Sequence, residues 1–134
     1  MKKMKNFVKA LENLHALQGK EPPYDTITLA GMVSLFEICF EQAWKAMKEA
    51  LEESGYSKRQ FGSPRAVIKM AYQGGMIADE MLWLAALQAR NDVIHSYSEP
   101  IALAIIRDSQ EKFLPMFTAL AAELQKNWQF AERP

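Results

Sequence analysis

Apolar residues recur at intervals of three and four along most of the chain, which is the spacing of one face of an α-helix. No alternating pattern of the strand type persists. The longest stripe predicts a helix from about Thr26 to Ser54, and its members are Leu29, Val33, Phe36, Phe40, Ala43, Met47 and Leu51. An earlier stripe predicts a helix from about Lys3 to Gln18, formed by Met4, Phe7, Val8, Leu11 and Leu14. The pattern therefore predicts an all-α protein.

Residues that favour the start or the end of a helix predict the remaining helix boundaries. Ser63 before Pro64 is a strong start signal, because serine can cap free backbone N–H groups and proline suits the first helical position. This third helix should be short and end near Gln73. Asp79 can cap a fourth helix, with Leu84, Leu87 and Ile94 directed inward.

The last predicted helix runs from Pro100 to about Trp128. Its apolar side comprises Leu103, Ile106, Phe113, Phe117, Leu120 and Leu124. Pro115 lies inside this pattern and should kink the helix or divide it. Together these segments predict an up-and-down bundle of four to five helices, forming one domain over residues 1–134.

Charge and cysteine content narrow the classes of function. The chain has 16 basic and 16 acidic residues, so it does not hold nucleic acid by bulk charge, although a local basic cleft is compatible with this balance. Cys39 is the single cysteine, which excludes an internal disulfide and favours the cytoplasm. No long apolar run follows the basic start, because Lys9 and Glu12 interrupt it, so we expect no secretory signal. The longest apolar stretches elsewhere also carry charges, so we expect no membrane span.

Polar and titratable groups are concentrated in residues 90–97. On an ideal helix Asn91 and His95 share a face, as do Arg90 and Tyr97, whereas Arg90 and His95 lie about 140° apart. Arg90 and His95 can therefore converge only if the helix loosens or if a second copy of the chain completes the site. This geometry is a reason to expect a homodimer.

The residue types in this segment suit phosphate chemistry. Arg90 carries a permanent charge that can stabilise a phosphate, and a histidine such as His95 can take or give a proton near neutrality. Asn91 can orient His95 or a substrate. An RNA strand can be cleaved by attack of its own 2′-hydroxyl group, and that reaction needs little beyond a proton acceptor, a proton donor and charge stabilisation. From periodicity alone, an ordinary polar cluster at a helix end, with protonated His95 on the negative dipole, is the simpler interpretation.

Other candidates carry weaker signals. His15 lies beside the apolar stripe of the first helix and is interpreted as an ordinary surface or partly buried residue. Glu37, Glu41 and Glu49 are spaced like metal-binding carboxylates, but no Glu-x-x-His pair accompanies them. We therefore expect a solvated face there, and neither a metal nor a cofactor.

The pattern Arg90-x4-His95-x-Tyr97 resembles the signature of the HEPN family, and more narrowly the chain resembles the small nucleotidyltransferase substrate-binding proteins. Supporting stretches occur in the usual order at residues 40–45 (FEQAWK), 62–68 (GSPRAVI) and 75–77 (GMI), with Trp83 upstream of the signature. The resemblance extends from about Phe7 to Leu124.

The resemblance implies a bundle that forms a homodimer, with the signature helices near its interface, and a minimal nucleotidyltransferase as partner. In related toxin–antitoxin pairs the HEPN protein is a metal-independent ribonuclease, silenced when the partner transfers AMP to the signature tyrosine. Carried over, this makes Arg90 and His95 catalytic, Asn91 supporting, and Tyr97 the modified residue. Ser98 replaces a common acidic residue, which bears on recognition by the partner.

Two other roles stay open. The family's older name implies a non-catalytic subunit that presents a substrate to the nucleotidyltransferase, and a bundle of this kind can also serve only for assembly. The retained Arg90–His95 pair favours the ribonuclease, because a presenting scaffold has no need of an uncoupled general base.

Overall fold

The computed structural model describes residues 2–57, 59 and 61–128, and these form helices without any strand. The helices are α1 (Lys2–Leu14), α2 (Thr26–Glu53), α3 (Pro64–Gln73), α4 (Glu80–Ser96), α5 (Glu99–Asp108) and α6 (Leu114–Asn127). A π-helical turn, Ser109–Phe113, joins α5 to α6 without leaving helical backbone angles, so the two form the fifth helix of a bundle. The predicted all-α bundle is confirmed.

Local sequence signals determine most helix ends. The side chains of Ser63 and Asp79 accept hydrogen bonds from the backbone N–H groups of Ala66 (3.2 Å) and Leu82 (3.0 Å), as their capping roles require. After α1, Gly19 adopts a φ of +79°, a left-handed conformation that favours glycine. The predicted extension of α1 to Gln18 is wrong, because a 3₁₀ turn, His15–Leu17, follows Leu14.

The predicted division near Pro115 lies in the π-helical turn just before it. Proline lacks the N–H that would bond back into the helix, and its ring crowds the preceding turn. The wider turn accommodates this, and Pro115 falls in the first turn of α6. Gln110, inside the same turn, donates from Nε2 to the carbonyl oxygens of Leu17 (2.7 Å) and Lys20 (2.9 Å).

The core is built around α2, which contacts all five other helices. Every residue of its predicted stripe is buried. Phe36 lies at the centre, with ring centroids 5.4 Å from Phe113 and 6.5 Å from Phe117, and Trp83 brings α4 onto the same aromatic cluster. The prediction that Ile94 is directed inward is wrong, because its side chain is 57% exposed.

Lys58 and Gln60, between α2 and α3, lie outside the described residues. Among the described helices, none combines the length and apolar character needed to cross a bilayer.

Candidate functional site

Arg90 lies on α4 and packs its side chain against α2. The guanidinium carbon is 5.8 Å from the centroid of the Phe40 ring, and Nη2 is 3.6 Å from Oε2 of Glu41. Nη1 donates a 3.1 Å hydrogen bond to Oδ1 of Asn91. Only 20% of the side chain is exposed. An aromatic face, a carboxylate and an amide therefore define one position for this cation.

The third nitrogen of the guanidinium is left without a partner. Nε of Arg90 is buried and makes no hydrogen bond with any described residue. A buried donor without an acceptor is costly, so this position of Arg90 is not its best-satisfied one. The guanidinium would gain from a different position, in which one acceptor reaches both Nε and a terminal nitrogen.

A cleft of about 430 Å³ opens where α2 meets α4. Its lining is Glu37, Ile38, Glu41, Arg90 and Ile94. The two isoleucines are 51% and 57% exposed, so both present apolar surface to solvent at the cleft. The cleft thus combines one cation, two carboxylates and two apolar edges.

Desolvation and a nearby charge shift the pKa of Glu37 in opposite directions. Burial raises the pKa of its carboxyl group above the ordinary value of 4.5, and the nearby Arg90 charge opposes that rise. Glu41 lies within 3.9 Å of Lys45 as well as near Arg90. The carboxylates balance the arginine, so the cleft has no excess of positive charge.

His95 and Tyr97 lie at the exposed end of α4. His95 is in the last turn, where a protonated imidazole favours the negative helix dipole. Tyr97 is the first residue after the helix, with φ −54° and ψ 130°, and is 48% exposed. Within the described part of the chain, neither side chain forms a hydrogen bond or an ion pair.

The structure gives the positions of the signature residues. Asn91 orients Arg90, through the bond to Nη1, and makes no bond to His95. Tyr97 is the C-cap of α4, and its φ of −54° is still close to the helical value, so the expected shared face with Arg90 is not contradicted. Arg90 is directed onto α2 while His95 is exposed, so a single chain does not unite the two.

The sequence interpretation missed the carboxylates of α2. Glu37 and Glu41 were assigned to a solvated face, yet both line the cleft with Arg90. The available signal was their spacing of four residues, which places both on one side of α2. Their partner could not be named from the sequence, because it comes from another helix.

The remaining candidates behave as ordinary structural residues. His15 is exposed in the 3₁₀ turn, and Trp83 is buried at 2% exposure. Trp44 and Trp128 pack partly buried against the core. Within the described residues, no group of three or more His, Cys, Asp or Glu side chains is arranged to hold a metal ion.

A comparison with protein families identifies this architecture. A family model described as "nucleotidyltransferase substrate binding protein like" matches residues 2–126. The chain belongs to this family. The match includes every helix from α1 to α5 and nearly all of α6, and therefore the whole cleft and the signature segment.

The chain is also similar to individual proteins. Probable ribonuclease HepT of Haemophilus influenzae is 27% identical over 108 residues, which span 79% of this chain and 73% of the relative. A crystal structure from Thermus thermophilus is 29% identical, with a TM-score of 0.77, covering 90% and 99% of the two chains. A structure from H. influenzae, said to reveal the fold of a substrate-binding domain of a nucleotidyltransferase, is 22% identical with a TM-score of 0.76. The match covers 92% of this chain and 99% of the H. influenzae chain, and at 22% identity it supports the fold alone.

Proposed function

We propose that this protein is a metal-independent endoribonuclease that acts as a homodimer and is silenced by a minimal nucleotidyltransferase. The observation that carries the proposal is the placement of Arg90. A permanently charged guanidinium with an unsatisfied Nε lines a cleft, five residues before an exposed histidine. A phosphodiester is the ligand that best fits that donor edge, because arginine binds phosphate oxygens in a bidentate manner.

Arg90 and His95 would share the work of cleavage. The 2′-hydroxyl attacks the adjacent phosphorus, a P–O bond forms, and the bond to the 5′-oxygen of the next nucleotide breaks. His95 accepts the hydroxyl proton or donates one to the leaving oxygen. Arg90 stabilises the charge on the phosphorane-like transition state. The products are a 2′,3′-cyclic phosphate and a 5′-hydroxyl, and the atoms balance without a cofactor.

The separation of the two residues within one chain supports a dimeric site. Arg90 faces α2, and His95 is exposed beyond it on α4. A second copy packed at the cleft would cover the exposed Ile38 and Ile94 and bring a second His95 towards the first Arg90. Homodimers usually have twofold symmetry, so two such composite sites would form together.

The regulatory half of the proposal concerns Tyr97. An exposed phenol two residues after His95 is accessible to an enzyme that transfers AMP from ATP. The modified residue would bring a bulky anion close to the RNA-binding groups. The proposed setting is a cytoplasmic toxin–antitoxin pair, and the name of the H. influenzae relative, probable ribonuclease HepT, agrees with the proposed ribonuclease activity.

Cleavage of RNA in the presence of EDTA tests the proposal. Purified wild-type protein should cleave tRNA or mRNA, and Arg90→Ala and His95→Ala should each lower the rate by at least about 100-fold, the lower end of a general acid–base contribution. His15→Ala is the matched control, because it removes the chain's other histidine from an exposed position. Cleavage that persists unchanged in His95→Ala would contradict the assignment.

A non-catalytic role is the second candidate. The family description names substrate binding, and the cleft holds carboxylates as well as arginine, which suits recognition of a ligand as well as catalysis. In that role the protein would present a substrate to the nucleotidyltransferase. A purified dimer that binds the transferase but does not cleave RNA would favour this alternative.

A further inference from the structure

The guanidinium of Arg90 has two edges that an anion can bind. Phosphates bound side-on contact Nε and Nη2 together, whereas end-on binding uses the two terminal nitrogens. Here Nη1 is already bonded to Asn91 at 3.1 Å, and Nη2 lies 3.6 Å from Glu41. The side-on edge is therefore the one with an unsatisfied donor, and Glu41 stands beside it.

A phosphate cannot use that edge in the position described. Nε is buried, so an incoming oxygen has no route to it while the guanidinium lies over the Phe40 ring. Arg90 must leave this position before it can grip a phosphodiester. Movement breaks the ion pair with Glu41, while the flexible arginine can keep or re-form its bond with the neighbouring Asn91.

We infer that Glu41 is a positioning residue that holds Arg90 in a resting state and competes with the RNA phosphate for it. This inference rests on the proposed ribonuclease function and deepens it by naming what regulates access to Arg90. The ion pair is partly exposed, with 20% of the Arg90 side chain and 36% of the Glu41 side chain accessible. Pairs of this kind are weak enough to exchange partners and strong enough to shift an affinity severalfold.

The charges around the cleft also favour a role for Glu41 in opposing RNA binding. Glu37 and Glu41 both face the approach to Arg90, and each carboxylate repels an incoming phosphate. Nζ of Lys45 lies 3.9 Å from Oε1 of Glu41, so part of this negative charge is compensated along α2. Replacing Glu41 with glutamine removes one repulsive charge and releases Nη2, whereas the ring of Phe40 and the amide of Asn91 still support the arginine.

Binding of a non-cleavable RNA tests the inference. The probe is a 2′-O-methyl oligoribonucleotide, which lacks the attacking hydroxyl, measured by fluorescence anisotropy at one fixed salt concentration because salt strongly affects such affinities. Glu41→Gln should tighten binding by about two- to fivefold, and Arg90→Ala should weaken it. Glu12→Gln is the matched control, since it removes the same charge from an exposed residue of α1 that pairs with Lys9.

The double variant shows whether Glu41 acts through Arg90. In an Arg90→Ala background only the loss of the direct repulsion remains, so Glu41→Gln should tighten binding clearly less than it does when Arg90 is present. Tightening of equal size in that background would mean that Glu41 acts on RNA directly, and would overturn the inference. So would weaker or unchanged binding by Glu41→Gln with an unaltered melting temperature.

Failure of the inference and failure of the proposed function give different results. If the wild-type protein cleaves RNA with dependence on Arg90 and His95, but Glu41→Gln binds the probe like Glu12→Gln, only the role of Glu41 is overturned. If the wild-type protein neither binds the probe nor cleaves RNA, the ribonuclease proposal is overturned and the role of Glu41 falls with it.

Discussion

Arg90 on α4 and Glu41 on α2 approach to 3.6 Å between Nη2 and Oε2, with the arginine stacked over Phe40. This contact directs the arginine in the cleft onto α2, whereas His95 and Tyr97 are exposed at the end of α4. A single chain therefore holds the elements of the site apart. Assembly and substrate binding must bring them together if the proposed chemistry takes place.

Self-association should depend on the apolar edge of the cleft. We predict that the wild-type protein is a homodimer at micromolar concentration and that Ile94→Asp shifts it towards monomer, because a specific interface of about 1,600 Å² cannot bury an unpaired carboxylate cheaply. Ile27→Asp is the control, as Ile27 is 85% exposed at the start of α2 and does not line the cleft. Sedimentation that shows only monomer for the wild type would contradict this prediction.

The sequence predicts those features of the fold that depend on local interactions. The starts of α3 and α4 are examples, because a serine or aspartate side chain bonds to N–H groups three residues away. The end of α1 is different. There a 3₁₀ turn replaces the last helical turn, and its Leu17 carbonyl is bonded by Gln110, far away in the sequence. No short-range pattern contains that information.

The site shows the same limit. Periodicity and motif select Arg90, Asn91, His95 and Tyr97, all within eight residues. The pattern also predicts Ile94 to be inward, but in the part of the chain that the structure describes its side chain is 57% exposed. The sequence interpretation does not select Glu41, because its contact with Arg90 forms only when α4 packs against α2. Contacts between helices decide which polar residues share a cleft, and these require the three-dimensional structure.

The aromatic centre of the core should dominate stability. Phe36 is fully buried and contacts the rings of Phe40, Phe113 and Phe117. We predict that Phe36→Ala lowers the free energy of unfolding by about 3–5 kcal/mol, through lost burial and the cavity left behind. Ile27→Ala should change it by less than about 0.5 kcal/mol, because that side chain is exposed. Urea denaturation at fixed protein concentration measures both, and equal effects would contradict the core described here.

Glu37 should give stability a dependence on pH. Its pKa in the folded protein is raised, chiefly by burial, while Arg90 opposes the rise and Glu41 lies in the same cleft. A raised acid pKa means that stability is greatest below the unfolded value and is lost as pH rises through the folded value. Relative to wild type, Glu37→Gln should therefore gain stability as pH rises above 4.5.

The size of that gain is small because the carboxylate is partly solvated. We expect less than about 0.5 kcal/mol between pH 4 and pH 7, after allowing for solvent screening. Urea unfolding at several pH values measures it, with Glu12→Gln as the exposed control. A Glu37→Gln variant that loses stability relative to wild type over this range would show that attraction to Arg90 outweighs desolvation.

The most specific prediction concerns Tyr97 and the proposed nucleotidyltransferase partner. In the reaction, the Tyr97 hydroxyl oxygen attacks the α-phosphorus of ATP, pyrophosphate leaves, and the phenolic proton passes to solvent. Incubation with the cognate transferase, ATP and Mg²⁺ should add the mass of AMP to the wild-type chain and reduce RNA cleavage. The added phosphate attracts arginine and repels RNA, so both effects follow from one modification.

Two tyrosine variants make the test of this modification sharp. Tyr97→Phe should accept no AMP and should escape silencing, whereas Tyr72→Phe should behave like wild type, since Tyr72 is 47% exposed on α3 against 48% for Tyr97. Intact mass spectrometry distinguishes the possible results. An AMP adduct on Tyr97→Phe would mean that another residue is the acceptor. If the transferase is active on another acceptor but adds nothing to wild type, the substrate-presenting role is favoured, because silencing by AMP transfer then has no acceptor on this chain.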